Sequence, residues 1–90
     1  MENQEKPMVS QRFSKRVWIT RHAERQMTER HITPAEVLDV IETGFSKDRG
    51  AGHFLIFKHL SHRQDNLLCV ALLEGDAVIV KTVMHHFCEE

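Results

Sequence analysis

The chain lacks most of what marks an extracellular or membrane protein. It holds two cysteines, Cys69 and Cys88, and no CxxC pair. No disulfide framework follows from that spacing, and reduced thiols in a cytoplasmic protein are the expected state. No apolar run approaches the roughly 20 residues that a bilayer-spanning helix requires, so no membrane segment is expected. The opening MENQEKPMVSQRFSK has no apolar core of the kind a secretory leader needs. Two prolines and four glycines leave no linker, repeat or low-complexity tract. An excess of charge is missing as well: 12 Lys and Arg stand against 13 Asp and Glu, for a formal net charge of −1. Nucleic-acid affinity is dominated by phosphate neutralisation, so this balance argues against a protein that wraps DNA or RNA, while leaving room for a local basic patch. There is no Gly-rich phosphate loop, no Gly-x-Ser-x-Gly elbow and no paired-carboxylate signature.

What is present suits one small domain. Ninety residues, 41% of them hydrophobic, can close a single core but not two. Seven histidines are a high number for this length, and their protonation near pH 6.5 makes the chain more cationic in acid.

Residues 1–15 are polar and aperiodic and read as an arm; residues 16–88 read as the domain. Val17-Trp18-Ile19 is a short apolar segment, either an edge strand or the lead-in to a helix. Thr20 is an N-cap for a helix over Arg21–Arg30, with Ile19, Ala23 and Met27 as a thin apolar stripe. The second helix has clearer signals. Thr33 and Glu36 make a capping box, Pro34 sits at the first helical position, and Val37, Leu38, Val40 and Ile41 share one face. Gly44 is the expected residue just past the helix end, with Phe45 closing a Schellman-type contact. Residues 46–52 read as a loop. Phe54–Leu60 and Leu67–Leu73 read as strands, the second so continuously apolar that it belongs at the sheet centre. Glu74-Gly75-Asp76 is a hairpin connection into a last strand, Ala77–Met84. The expected fold is therefore α+β: two N-terminal helices packed on one face of a three- to four-stranded antiparallel sheet.

Several side-chain groups invite chemistry. His22, Arg25, Gln26 and Glu29 fall on one helix face. A histidine beside an arginine suits RNA cleavage, the imidazole moving the 2′-OH proton and the guanidinium holding phosphate. The plainer reading is a solvated face with pairs such as Arg25–Glu29. His85-His86 with Cys88, or His59 and His62, suggest a metal, but zinc needs three or four ligands in tetrahedral array and neighbours on a strand point apart. No metal or cofactor is expected. On the last strand Val78, Val80, Thr82 and Met84 alternate with Ile79, Lys81, Val83 and His85. This places Lys81 and His85 in one row, on the face that the helices leave uncovered or at its edge. Lys81 there is either a cleft residue or a snorkelling surface lysine. Phe54, Phe57 and Phe87 are core residues first and base-stacking residues second.

At this point the run ITRHAERQMTERHITPAEVLDVIETG, Ile19–Gly44, resembles the opening of a family of small bacterial domains of unknown function whose helix signature has the form H-A-x-x-R-M-x-x-R-G-I. His22, Ala23, Met27, Arg30 and Ile32 match, followed by Thr33, Glu36 and Val37. The hairpin of Leu68–Leu73 and Val78–Met84 is similar to the family's as well. Gln26 stands where the family has an arginine, His31 where glycine is common and Met84 where tyrosine is common. The resemblance implies a fold similar to RelE/BrnT-like toxins, which are often messenger-RNA endoribonucleases neutralised by an antitoxin. It implies His22 as the site residue, with Arg25 or Arg30 as phosphate binder. The function expected first is thus a ribonuclease-like toxin or RNA-binding domain, with His22 as general acid/base, Arg25 and Arg30 clamping phosphate, Lys81 and His85 in support from the last strand, and RNA and an antitoxin-like protein as partners. The alternative reading is a non-enzymatic interaction module, pairing through a sheet edge or helix face with a partner or as a homodimer.

Overall fold

A computed structural model describes residues 8–60 and 66–85, the side chain of His85 excepted. The elements run β1 (Met8–Ser10), β2 (Lys15–Ile19), α1 (Arg21–Glu29), α2 (Pro34–Thr43), β3 (Phe45–Gly50), β4 (His53–His59), β5 (Asn66–Glu74) and β6 (Ala77–His85).

The two helices form where their caps place them. Thr20 accepts the Ala23 N–H through its hydroxyl at 3.1 Å, and Ala23 and Met27 are the buried residues of α1. In α2 the capping box closes in both directions, Glu36 N–H to Thr33 Oγ1 at 3.1 Å and Thr33 N–H to Glu36 Oε1 at 2.9 Å, with Val37, Val40 and Ile41 buried. The end of α2 differs from expectation. Gly44 is extended, φ −75° and ψ 169°, rather than left-handed. Its lack of a side chain serves close approach: a Cβ there would lie 2.5 Å from the Val40 carbonyl oxygen and 2.8 Å from that of Phe57. Phe45 makes no Schellman contact with the helix but turns to the other side of the sheet, its ring 5.2 Å from that of Phe57.

The sheet corrects the expected fold class. It has six strands, in the order β1-β2-β6-β5-β4-β3, and it is mixed, because β2 runs parallel to β6 while every other neighbour is antiparallel. The helices are not N-terminal to the sheet, since β1 and β2 precede them. The expected three- to four-stranded antiparallel sheet missed two edge strands, β1 because MVS is only three residues long and β3 because FSKDRG is polar. An edge strand pairs through its backbone and needs no apolar alternation, so periodicity does not reveal it. Gly50, Ala51 and Gly52 all take positive φ, which turns β3 back into β4. β2 joins β6 in parallel because Val17 and Ile19 lie beside Val78 and Val80 and complete one apolar layer.

Both helices lie on one face of this sheet, α1 along β6 and α2 across β4 and β5. The core lies between, with Val37, Val40 and Ile41 against Ile56, Cys69, Ala71, Val80 and Val83. Arg12 ties the β1–β2 turn to the end of α2, its Nη1 donating to the carbonyls of Ile41 at 3.1 Å and Gly44 at 2.8 Å. Glu42 of α2 accepts from the Gln11 N–H at 2.9 Å and from the Ser10 hydroxyl. Among the described residues, no helix is long and apolar enough to cross a membrane.

Candidate functional site

The residues singled out on α1 do not converge. Arg21, His22 and Arg25 are exposed on its outer flank, and Arg21, Glu24, Arg25 and Thr28 line an open depression of about 300 Å³. Arg30 ends the helix about 12 Å along its axis from His22, at 1.5 Å of rise per residue. Its Nη1 is 3.8 Å from Glu29 Oε1, a surface pair of little energetic weight. Gln26, expected beside His22 and Arg25, turns inward instead, its Oε1 accepting the Val83 N–H at 2.9 Å. The reason is topological. β2 pairs with β6 only as far as Val80, so the β6 edge beyond it has free backbone donors, and α1 lies alongside to supply an acceptor.

Lys81 occupies a bulge. The pairing of β5 with β6 runs Ala71↔Val80 and then Val70↔Thr82, leaving Lys81 as the extra residue. A bulge resets the alternation of a strand. Val83 is consequently buried on the helix side, and the register sets the His85 position opposite Leu67, in the line of Cys69 and Val83. The expected single row of Lys81, Val83 and His85 is therefore broken at the bulge, and the side chain of His85 lies outside the described residues. Lys81 itself is exposed, and its carbonyl accepts from Thr20 Oγ1 at 3.5 Å, which brings it to the N-terminal end of α1. Among the described residues, no hydrogen bond or ion pair joins His22, Arg25 and Lys81.

The remaining candidates are dispersed. Among the described residues, no group of three or more His, Cys, Asp or Glu is placed to hold a metal. His62, His86, Phe87 and Cys88 lie outside the described residues. Phe54 packs on the core and meets Phe13 at 6.0 Å between ring centroids. Cys69 is fully buried, and burial pushes its thiol up to about 12, so it stays protonated and unreactive at neutral pH.

The more prominent surface is the other side of the sheet. The register puts Leu68, Val70 and Leu72 of β5 on it, with Leu55 and Phe57 of β4 and Ile79 of β6 beside them. Trp18 on β2 and Phe45 on β3 flank this patch, 55% and 61% exposed. Both helices pack on the opposite face; on this one Leu55, Phe57, Val70, Leu72 and Ile79 are half-buried and Leu68 is buried. An antiparallel sheet wetted on one side alternates apolar and polar residues, whereas a run such as LLCVALL is the composition of a strand covered on both sides. The run places β5 at the sheet centre, and its apolar residues toward both faces are the sequence signal for this surface.

This architecture, a mixed sheet with helices on one face and an apolar second face, defines a small α+β domain. The chain belongs to the family described as a domain of unknown function, DUF4258, whose model matches residues 19–85, from the last residue of β2 to the end of β6. No curated protein and no solved structure matches the chain.

Proposed function

We propose that this domain is a non-enzymatic protein-interaction module that binds through the bare face of its sheet. The observation that carries the reading is the composition of β5, apolar toward both faces while the helices cover only one. Isolated exposed apolar residues are ordinary on a monomer, but a contiguous patch spanning several strands marks an interaction site. The sheet edges are poorer candidates. β3 presents Lys47, Asp48 and Arg49, charges that discourage strand addition, and β1 is three residues long. The β6 edge beyond Val80 is occupied by α1 and Gln26.

Photo-crosslinking in living cells tests this reading. A benzophenone side chain placed at Trp18 is expected to give a discrete adduct, and the same group at Arg25 on α1 none. Discrete adducts from position 25 with none from position 18 would move the interaction surface to α1 and refute the proposal.

A further inference from the structure

Resting on that reading, we infer that the occupant of the bare face is a second copy of this chain, stacked sheet on sheet about a two-fold axis along β6, with Arg16 of each copy against Glu74 of the other. The argument begins with the register. Arg16 pairs with Ala77, and Ala77 pairs with Glu74, so the three stand in one row across β2, β6 and β5. Arg16 shares its face with Trp18, and Glu74 shares its face with Leu72, so both charges border the bare face. They lie two strand spacings apart, about 10 Å. Both are exposed, and neither side chain has a partner among the described residues.

Two opposite charges placed symmetrically about a central strand are self-complementary. A two-fold axis along that strand exchanges the β2 and β5 positions, so each arginine faces a glutamate. Stacked sheets lie about 10 Å apart, a gap that an arginine and a glutamate side chain span together. The next row fits the same operation. Trp18, Ile79 and Leu72 are register partners across β2, β6 and β5. The axis lays Trp18 on Leu72 of the copy and Ile79 on Ile79. Aligned packing of two sheets is a common way to bury such faces. The formal net charge of −1 puts little long-range repulsion between copies.

The size of the face sets the strength. From β1 to β4 and from Glu74 to Val70 the open part measures roughly 20 by 14 Å, so a stack buries about 600 Å² in total. That is below the standard size for a specific interface and corresponds to a weak, reversible dimer with a dissociation constant in the micromolar range. Phe45, on the far strand β3, falls outside the overlap of the two sheets, so it contributes less than Trp18.

Sedimentation of the full chain across about 1–200 µM tests the inference. The expected result is a monomer–dimer equilibrium that Arg16→Glu and Glu74→Arg each weaken roughly tenfold, because each change acts twice in a symmetric dimer. The double variant Arg16→Glu, Glu74→Arg is expected to regain wild-type association. Both positions are exposed, and circular dichroism confirms that the variants fold. A monomer at every concentration overturns the inference, as does a dimer that the double variant does not restore. The crosslink at position 18 separates the two levels of the account. An adduct with twice the mass of the chain supports the second copy. A discrete adduct of another mass overturns the second copy while leaving the interaction reading intact, and no adduct refutes both.

Discussion

Replacing Gly44 by alanine should destabilise the domain by about 2–4 kcal/mol, through space rather than backbone conformation. The glycine has φ −75°, which any residue adopts without strain. The new methyl carbon would sit 2.5 Å from the Val40 oxygen, 2.8 Å from the Phe57 oxygen and 3.0 Å from Ile56 Cγ2. The first two are backbone atoms of α2 and β4, so relief requires the helix to move off the strand. That movement also loosens the hydrogen bond from the Gly44 N–H to the Val40 carbonyl, 2.7 Å long, and the Arg12 contact to the Gly44 carbonyl. For a domain of this length, 2–4 kcal/mol lowers the melting temperature by roughly 10–25 °C. Gly50 provides the opposite control. Nothing lies within 4 Å of a Cβ built there, but its φ is +92°, so alanine costs about 1 kcal/mol through conformation alone. Urea denaturation of the two variants beside wild type decides the matter. If Gly44→Ala lies within 0.5 kcal/mol of wild type, or costs less than Gly50→Ala, the close helix–strand approach described for α2 is wrong.

Other expectations follow from the same geometry. Gln26→Leu leaves the Val83 N–H without its acceptor and should cost about 1–3 kcal/mol, read by urea titration; no loss would mean that the contact carries no weight. Ala51, exposed at φ +55° in the β3–β4 turn, should gain about 0.5–1 kcal/mol on replacement by glycine, visible as a higher melting temperature. In a Cys88→Ser background the Cys69 thiol should resist a thiol reagent until the chain unfolds. Because its pKa rises from 9.0 to about 12 on folding, the unfolded chain ionises first as pH climbs above 9. Stability is then fully present below pH 9 and falls by about 1.4 kcal/mol per pH unit toward 12, a slope that Cys69→Ala removes. His22→Ala with Arg25→Ala should leave stability within about 0.5 kcal/mol of wild type, since both side chains are exposed. On the interaction reading the wild-type chain neither cleaves RNA nor arrests growth on induced expression, and this pair of substitutions leaves its association unchanged.

The helices were legible because their ends are written in local chemistry. Thr20, Thr33, Pro34 and Glu36 specify caps within three or four residues, and Ala23, Met27, Val37, Val40 and Ile41 specify the buried stripes. The β5–β6 hairpin was legible for the same reason, from Gly75-Asp76 between two apolar runs. What escaped was set at long range. β1 is three residues long and β3 is polar, and both owe their pairing to the strands beside them. The parallel contact between β2 and β6 joins residues about 60 positions apart. The bulge at Lys81 reverses the alternation on which the pairing of Lys81 with His85 depended. Gln26 reads as one more polar residue on a wet helix until the vacated edge of β6 appears next to it. At the candidate surface, each strand's apolar content was visible, but the helix count was needed too. Two short helices cover one face of six strands, and the apolar residues of β4, β5 and β6 supply enough for two.

Trp18 is the sole tryptophan of the chain and stands on the proposed surface, 55% exposed in the single copy. Acrylamide quenching of its fluorescence, followed from about 1 to 200 µM protein, is therefore the most direct measurement. Docking of the bare face on a second copy predicts strong quenching in dilute protein and progressive shielding, with a blue-shifted emission, as the concentration rises. Quenching that stays constant across the whole range, with the chain folded throughout, would contradict the claim that this face is covered by another copy.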